Sequence, residues 1–272
     1  MVSKIIIACA AACGCAASFS ALAQATPHEP ASGWSGSVTA GGFVRPDYEG
    51  ASGTVARPIL GPMVSYQSEH WGTFSLSQGL TWTMQVNGQD TLGIGLSGDA
   101  GRTDASARSG GIFNPRPGSA RLAGMGRIGA APVINLFGST AIADVPFFVA
   151  VHRALGSEDG LLVDVGSSVP WKPTANTTLT FGPSVTWEDR RYARAYFGVD
   201  PTQSSLSGFS TFDPHAGIKS ARFVIGVDVA VSGAWHVVGG ADGERLVGDA
   251  GRSPIVEKRN QFRAMAGVQY RF

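Results

Sequence analysis

Phe262-Arg263-Ala264-Met265-Ala266-Gly267-Val268-Gln269-Tyr270-Arg271-Phe272 is the stretch whose reading decides the fold. Phe262, Ala264, Ala266, Val268, Tyr270 and Phe272 share one face of a strand, and Arg263, Met265, Gln269 and Arg271 share the other. One side suits lipid and the other suits water, the dyad period of a transmembrane barrel strand. A final aromatic with Tyr two positions before it reads as the closing strand of a bacterial outer-membrane barrel. Tyr270 and Phe272 are therefore the candidate membrane-assembly signal. An amphipathic strand at the edge of a sheet needs its backbone paired, and barrel closure supplies the partner. The plain alternative is an edge strand of a soluble sandwich.

Working outward, the same alternation recurs. Leu179, Phe181, Pro183, Val185 and Trp187 alternate with Thr178, Thr180, Gly182, Ser184 and Thr186. Phe223 through Val231 alternates with Arg222, Gly226 and Asp228, Leu80 through Val86 with Thr81, Thr83 and Gln85, and Leu161 through Val165 with Asp164. A period of two in short segments is strand patterning, and helical spacing does not separate the classes this way. The segments fall at 34–44, 58–67, 71–77, 80–87, 90–100, 126–137, 143–153, 160–170, 178–189, 217–231, 234–244 and 260–272. The fold class predicted is all-β: a transmembrane antiparallel barrel of about twelve strands, or ten if neighbours merge, each near the length a tilted membrane strand needs. An even count puts both termini in the periplasm. Links 68–70, 87–90, 138–142, 171–177 and 232–233 then lie there, and the long links 45–57, 101–125, 190–216 and 245–259 lie outside.

The N-terminus supplies the address. Lys4 precedes an apolar run from Ile5 to Ala17, and Ala21-Leu22-Ala23 is a small-x-small cleavage site. The run is shorter than the roughly 20 residues a spanning helix requires, so 1–23 reads as a signal peptide and 24–33 as a periplasmic linker before the barrel at 34–272. The three cysteines, Cys9, Cys13 and Cys15, lie in the segment to be removed, which leaves no disulfide or cysteine metal site in the rest. Formal net charge is +1 and charged residues make up 15 %, well under the usual share of about a quarter, so neither nucleic acid nor an acidic surface is an expected partner.

Several candidate residues follow from position alone. Asp164, Asp228, Arg222, Arg263, Arg271 and His152 should line the lumen, as an internal ion-pair network or as a selectivity ring. Arg190, Arg191 and Arg194, with Tyr196 and Phe197, are candidates for outer-loop binding: arginine forks suit lipopolysaccharide phosphates, although a solvated edge or a plug in the barrel mouth accounts for the same residues. Enzyme chemistry is not expected. Of His28, His70, His152, His215 and His236, only His152 and His215 approach the outer rim, and no nucleophile turn accompanies Asp213-Pro214-His215. No catalytic, metal or cofactor residues are assigned.

The loops carry a resemblance. Pro46-Asp47-Tyr48-Glu49-Gly50, Leu122-Ala123-Gly124-Met125-Gly126, Ala195-Tyr196-Phe197-Gly198-Val199 with Ser207-Gly208-Phe209, and Arg245-Leu246-Val247-Gly248-Asp249-Ala250 with Ser253-Pro254-Ile255-Val256 resemble, in order, segments of the MipA/OmpV family of outer-membrane proteins. Arg252 departs from the small or acidic residue expected there. The resemblance implies a Gram-negative outer-membrane location and a non-enzymatic scaffolding role in peptidoglycan biosynthesis. It implies a membrane-bound lytic transglycosylase and a penicillin-binding protein as partners. Membrane lipid, lipopolysaccharide and the barrel-assembly machinery complete the expected partners. The alternatives are a small-solute or osmotically regulated porin and a surface adhesin or lipopolysaccharide-binding barrel.

Overall fold

A computed structural model describes residues 32–88, 90–105, 117–156 and 160–272. The predicted signal peptide and nearly all of the predicted linker lie outside the described residues. The first strand, β1, runs Gly33–Pro46, followed by β2 Thr54–Ser68, β3 Gly72–Leu76, β4 Leu80–Gln85, β5 Thr91–Asp99, β6 Ala131–Ile142 and β7 Val145–Ala154. The second half comprises β8 Leu161–Ser167, β9 Val169–Thr174, β10 Thr177–Glu188, β11 Gly217–Ser232, β12 Trp235–Leu246 and β13 Asn260–Arg271. All thirteen segments belong to one antiparallel sheet, which β10 and β11 close into a ring. Both β8 and β9 pair with β10, at its two ends, so they form a single stave broken at Ser168. The barrel therefore has twelve staves, and every backbone group of the wall can find a partner without water.

The alternation sorts the staves as the sequence requires. Leu60, Leu92, Leu136, Phe223, Ile225 and Phe262 stand exposed on the outside. Ser37, Thr91, Thr180, Gln261 and Gln269 are buried within. At the end where β1 begins and β13 finishes, the periplasmic end of such a barrel, Trp34 packs at a 50° tilt against Tyr66, 5.0 Å between ring centres, and Trp235 meets Tyr270 edge-on at 5.0 Å. Rings with one apolar and one wet side suit this boundary. Tyr270 and Phe272 belong to this girdle, and Phe272 exchanges backbone hydrogen bonds with Gly36 of β1 at 2.8 and 2.9 Å.

Two links differ from the sequence reading. The strand expected at 126–137 is β6 at 131–142, so Ser139 lies in the wall and the link is only Ala143-Asp144, both with positive φ (50° and 63°). The link expected at 171–177 is mostly strand, because β9 reaches Thr174 and β10 begins at Thr177. The segments expected at 71–77 and 80–87 do not merge: β3 and β4 are separate strands of a short hairpin.

Candidate functional site: a charged interior beneath a plugged mouth

The outer loops turn inward. After β10, Asp189 caps a helix, α1 (Arg190–Phe197), its carboxylate accepting from the Tyr192 N–H at 2.8 Å. The helix buries Tyr192, Ala193 and, at its last position, Phe197, and leaves Arg190, Arg191 and Arg194 exposed. A second short helix, α2 (Pro201–Ser207), starts with a capping box in which Asp200 and Gln203 satisfy each other's backbone N–H groups.

Phe197 joins Leu162, Tyr192, Leu246 and Ala250 in one apolar cluster. Tyr48, Ala51, Leu122, Met125, Val199 and Ile255 form a second. Together they form the apolar core of a plug. The residues that carried the family resemblance converge here from four separate loops. Tyr48 donates its hydroxyl to the Ile255 carbonyl at 2.8 Å, and Ser253 donates to the Phe197 carbonyl at 2.6 Å. Glu257 and Lys258 donate their N–H groups to the Gly50 carbonyl at 2.8 and 3.0 Å. Gly50 adopts φ +99°, and a Cβ there would lie 2.6 Å from Val256, so both conformation and space require glycine. Burial, with the Glu257 carboxylate nearby, pushes the Tyr48 phenol up to about 12, so it stays a donor at every physiological pH.

Beneath the plug lies a layer of buried charge. Arg263 donates to Asp242 at 2.9 Å and to Glu244 at 2.5 Å, and Arg222 faces Glu244 at 3.2 Å. Lys219 pairs with Glu49, which descends from the first outer loop, and lies 3.9 Å from Glu244. Ions taken from water need this density of partners. Across the barrel, His152 contacts Asn135 at 2.6 Å and Asp164 at 3.3 Å, and Thr186 donates to Asp164 at 2.5 Å. Nearer the periplasm, Asp228 receives His236 at 2.7 Å and Arg271 at 2.5 Å. A cavity of ≈ 70 Å³ remains between plug and charge layer, lined by Arg45, Tyr48, Glu49, Tyr192, Lys219 and Glu244 among others.

The structure thus places Asp164, Asp228, Arg222, Arg263, Arg271 and His152 inside the barrel, each in an ion pair or hydrogen bond. It adds Lys219, Asp242, Glu244 and Glu49, which the sequence reading did not single out. Asp242 and Glu244 sit two apart on the inward face of β12, so the period of two could have found them. The outer-loop group divides. Arg190 and Arg194 are exposed and both grip Asp213, at 2.8 and 2.7 Å, which holds that carboxyl below the usual carboxylate range. Arg191 is exposed, and Tyr196 donates its hydroxyl to Asp99 at 2.6 Å. Phe197 is fully buried, which corrects its assignment as an outer binding residue: it is the last residue of α1, where the chain enters the plug, and its ring packs with Leu162, Leu246 and Ala250.

The tempting Asp213-His215 pair does not form. Asp213 belongs to the arginines, while His215 contacts Asp249 through its backbone N–H at 2.8 Å and through Nδ1 at 3.2 Å. Arg252, the departure from the family pattern, donates to the other Asp249 oxygen at 2.5 Å. This bond, with that from His215, holds the Asp249 carboxyl down to about 2.

Among known families, the one described as "MltA-interacting protein MipA" matches residues 38–272. The chain belongs to the MipA family. No curated protein matches it. Solved barrels to which it is similar include the NanC porin, at 8 % identity over 86 % of this chain and 98 % of that one with a TM-score of 0.44. The translocator domain of the autotransporter NalP from Neisseria meningitidis gives 10 % identity over 90 % of each chain with a TM-score of 0.41. The outer-membrane channel DcaP of Acinetobacter baumannii gives 9 % identity over 88 % of this chain and 96 % of that one with a TM-score of 0.38. Likeness this distant carries no argument about what the interior does. The MipA-family barrel is an outer-membrane protein by its apolar belt and closed wall.

Proposed function

We propose that this MipA-family barrel is a non-enzymatic scaffold that holds murein-synthesising and murein-hydrolysing enzymes at the periplasmic face of the outer membrane. In this reading, residues 1–23 direct export, Tyr270 and Phe272 present the last strand to the barrel-assembly machinery, and membrane lipid and lipopolysaccharide surround the wall. The observation that carries the reading is the plug. Phe197, Leu122, Leu246 and Ile255 are all without exposed surface, and the charges below them are spent on one another. A mouth filled by two apolar clusters is poorly suited to passive permeation and leaves the exterior surfaces as the working parts. The description of the family as MltA-interacting supports a periplasmic murein enzyme as the partner class, a lytic transglycosylase with a penicillin-binding protein beside it.

Photoreactive residues at His70, Asn87 and Asp144, all in turns at the periplasmic end, test this in intact cells. Covalent capture of a lytic transglycosylase or a penicillin-binding protein from any turn is the expected result. Failure at all three, in barrels shown to be folded by their gel shift on heating, would overturn it. A small-solute pore is the second reading, and one observation favours it: Arg102 lines both the cavity beneath the plug and a cleft above it. Displacing one layer would therefore connect the two. Steady single-channel conductance in planar bilayers would move the conclusion to that reading.

A further inference from the structure

The outer surface holds a second feature that the scaffold reading does not use. Between the 123–128 loop, the end of α1 and the start of α2 lies an open cleft of ≈ 920 Å³. Arg102, Arg127, Arg191 and Arg194 line it, against two carboxylates, Asp200 and Asp213. Neither carboxylate is available to neutralise the whole group. Asp200 spends its side chain on the Gln203 N–H at 2.8 Å, and Asp213 is shared between Arg190 and Arg194. Arg127 is exposed and pairs with no group among the described residues. Arg102 is almost fully buried and fixed by donation to the Tyr196 carbonyl at 2.5 Å, so one guanidinium is built into the structure rather than left waving in solvent. The floor between the arginines is apolar: Met125, Ile128 and Val199 are buried and line the same space.

A cationic rim over an apolar floor suits a ligand with a compact dianion joined to a ring. Guanidinium forks bind phosphate oxygens in pairs, and a saccharide ring can lay its C–H face on the floor. The volume exceeds what a bare inorganic anion fills, and it lies within the range of small-molecule sites, roughly 300–1,000 Å³. We propose that this cleft binds the phosphomonoester of a phosphorylated saccharide at the cell surface. The group can arrive on a soluble sugar phosphate or on the phosphorylated inner region of lipopolysaccharide, and the chemistry of recognition is the same.

The test uses the full mature chain, folded and embedded in lipid nanodiscs, with glucose 6-phosphate as the soluble probe and glucose as its uncharged control. A second arm uses nanodiscs containing rough lipopolysaccharide, with or without its phosphates, and a fluorescent reporter on the loop at Thr211. The expected result is saturable binding in at least one arm that requires the phosphate and weakens with salt. The double variant Arg127→Gln/Arg191→Gln should lower the affinity about tenfold, as loss of charge-assisted hydrogen bonds does. Asp213→Asn, which removes a competing carboxylate, should raise it several-fold. A response to glucose 6-phosphate identifies the soluble source. A response confined to phosphorylated lipopolysaccharide identifies the lipid. Silence in both arms, or affinities unchanged by all these substitutions in barrels that retain their heat-dependent gel shift, would overturn the proposal.

Discussion

The two ends of this barrel are made by the same staves and differ in what their links do. At the periplasmic end the chain turns in as few as two residues, at 143–144, 175–176 and 233–234. At the outer end the links fold inward, bury Tyr48, Leu122, Phe197 and Ile255, and send Glu49 down to Lys219. The wall is generic; it needs only alternation and closure. The mouth is particular, because its core joins four loops through named hydrogen bonds. A change at the outer end should therefore unsettle the mouth, whereas a change at a periplasmic turn should act on how well the wall forms and, in the scaffold reading, on what docks there.

Substitutions can break or sharpen that contrast. The largest effect is expected from Arg263→Ala, which leaves Asp242 and Glu244 buried without their closest cation. Breaking one member of a buried pair costs about 3–5 kcal/mol, so the urea midpoint of the folded barrel should fall sharply. Phe197→Ala comes next, at about 3 kcal/mol for an emptied apolar site. Its effect should be confined to the mouth, seen as faster protease cleavage between residues 190 and 216 with an unchanged gel shift on heating. If the whole wall unfolds with it, the two ends are not separable.

The Asp249 tether gives a smaller effect with a pH signature. The folded carboxyl is depressed to about 2, below the ordinary Asp value, so the tether contributes fully above pH 4. It should be lost as pH falls from about 4 toward 2, loosening the 247–259 loop to protease. Asp249→Asn should weaken that loop at neutral pH by about 1–2 kcal/mol, the worth of a hydrogen bond to a charged group, and abolish the acid response. The smallest effect, of opposite sign, belongs to the other end. Ala143 holds φ 50°, a conformation that disfavours any Cβ, so Ala143→Gly should stabilise the barrel by about 1 kcal/mol. A destabilising result there would mean that the Ala143 methyl makes a contact worth more than the strain of its backbone.

The wall was legible because alternation and link length are one-dimensional signals. The lumen residues followed from the same parity, and His152, Asp164 and Arg271 needed no further information. Misreadings came where composition and geometry part. Gly138-Ser139-Thr140 has the composition of a turn yet lies in β6, while the true turn uses Ala143-Asp144, a pair without the glycine that announces such a turn. The segment read as a link at 171–177 instead continues the stave as β9, which reaches Thr174. In α1, basic and aromatic residues look like one exposed patch, and helical spacing alone keeps Phe197 on the side of Arg190 and Arg194; only the tertiary contacts of the plug at the end of the helix bury it. The plug itself was the least legible part, since it depends on which loops meet.

That dependence has a consequence in time. The hydroxyl of Tyr48 is joined to a carbonyl 207 positions away, and Gly50 is joined to Gln261 across 211. Contacts of such separation form only after their ends have been brought together, and the hairpins of the wall do that work first. Refolding should accordingly pass through a closed wall with an unstoppered mouth, a short-lived species in which the buried charges of the interior are briefly wet.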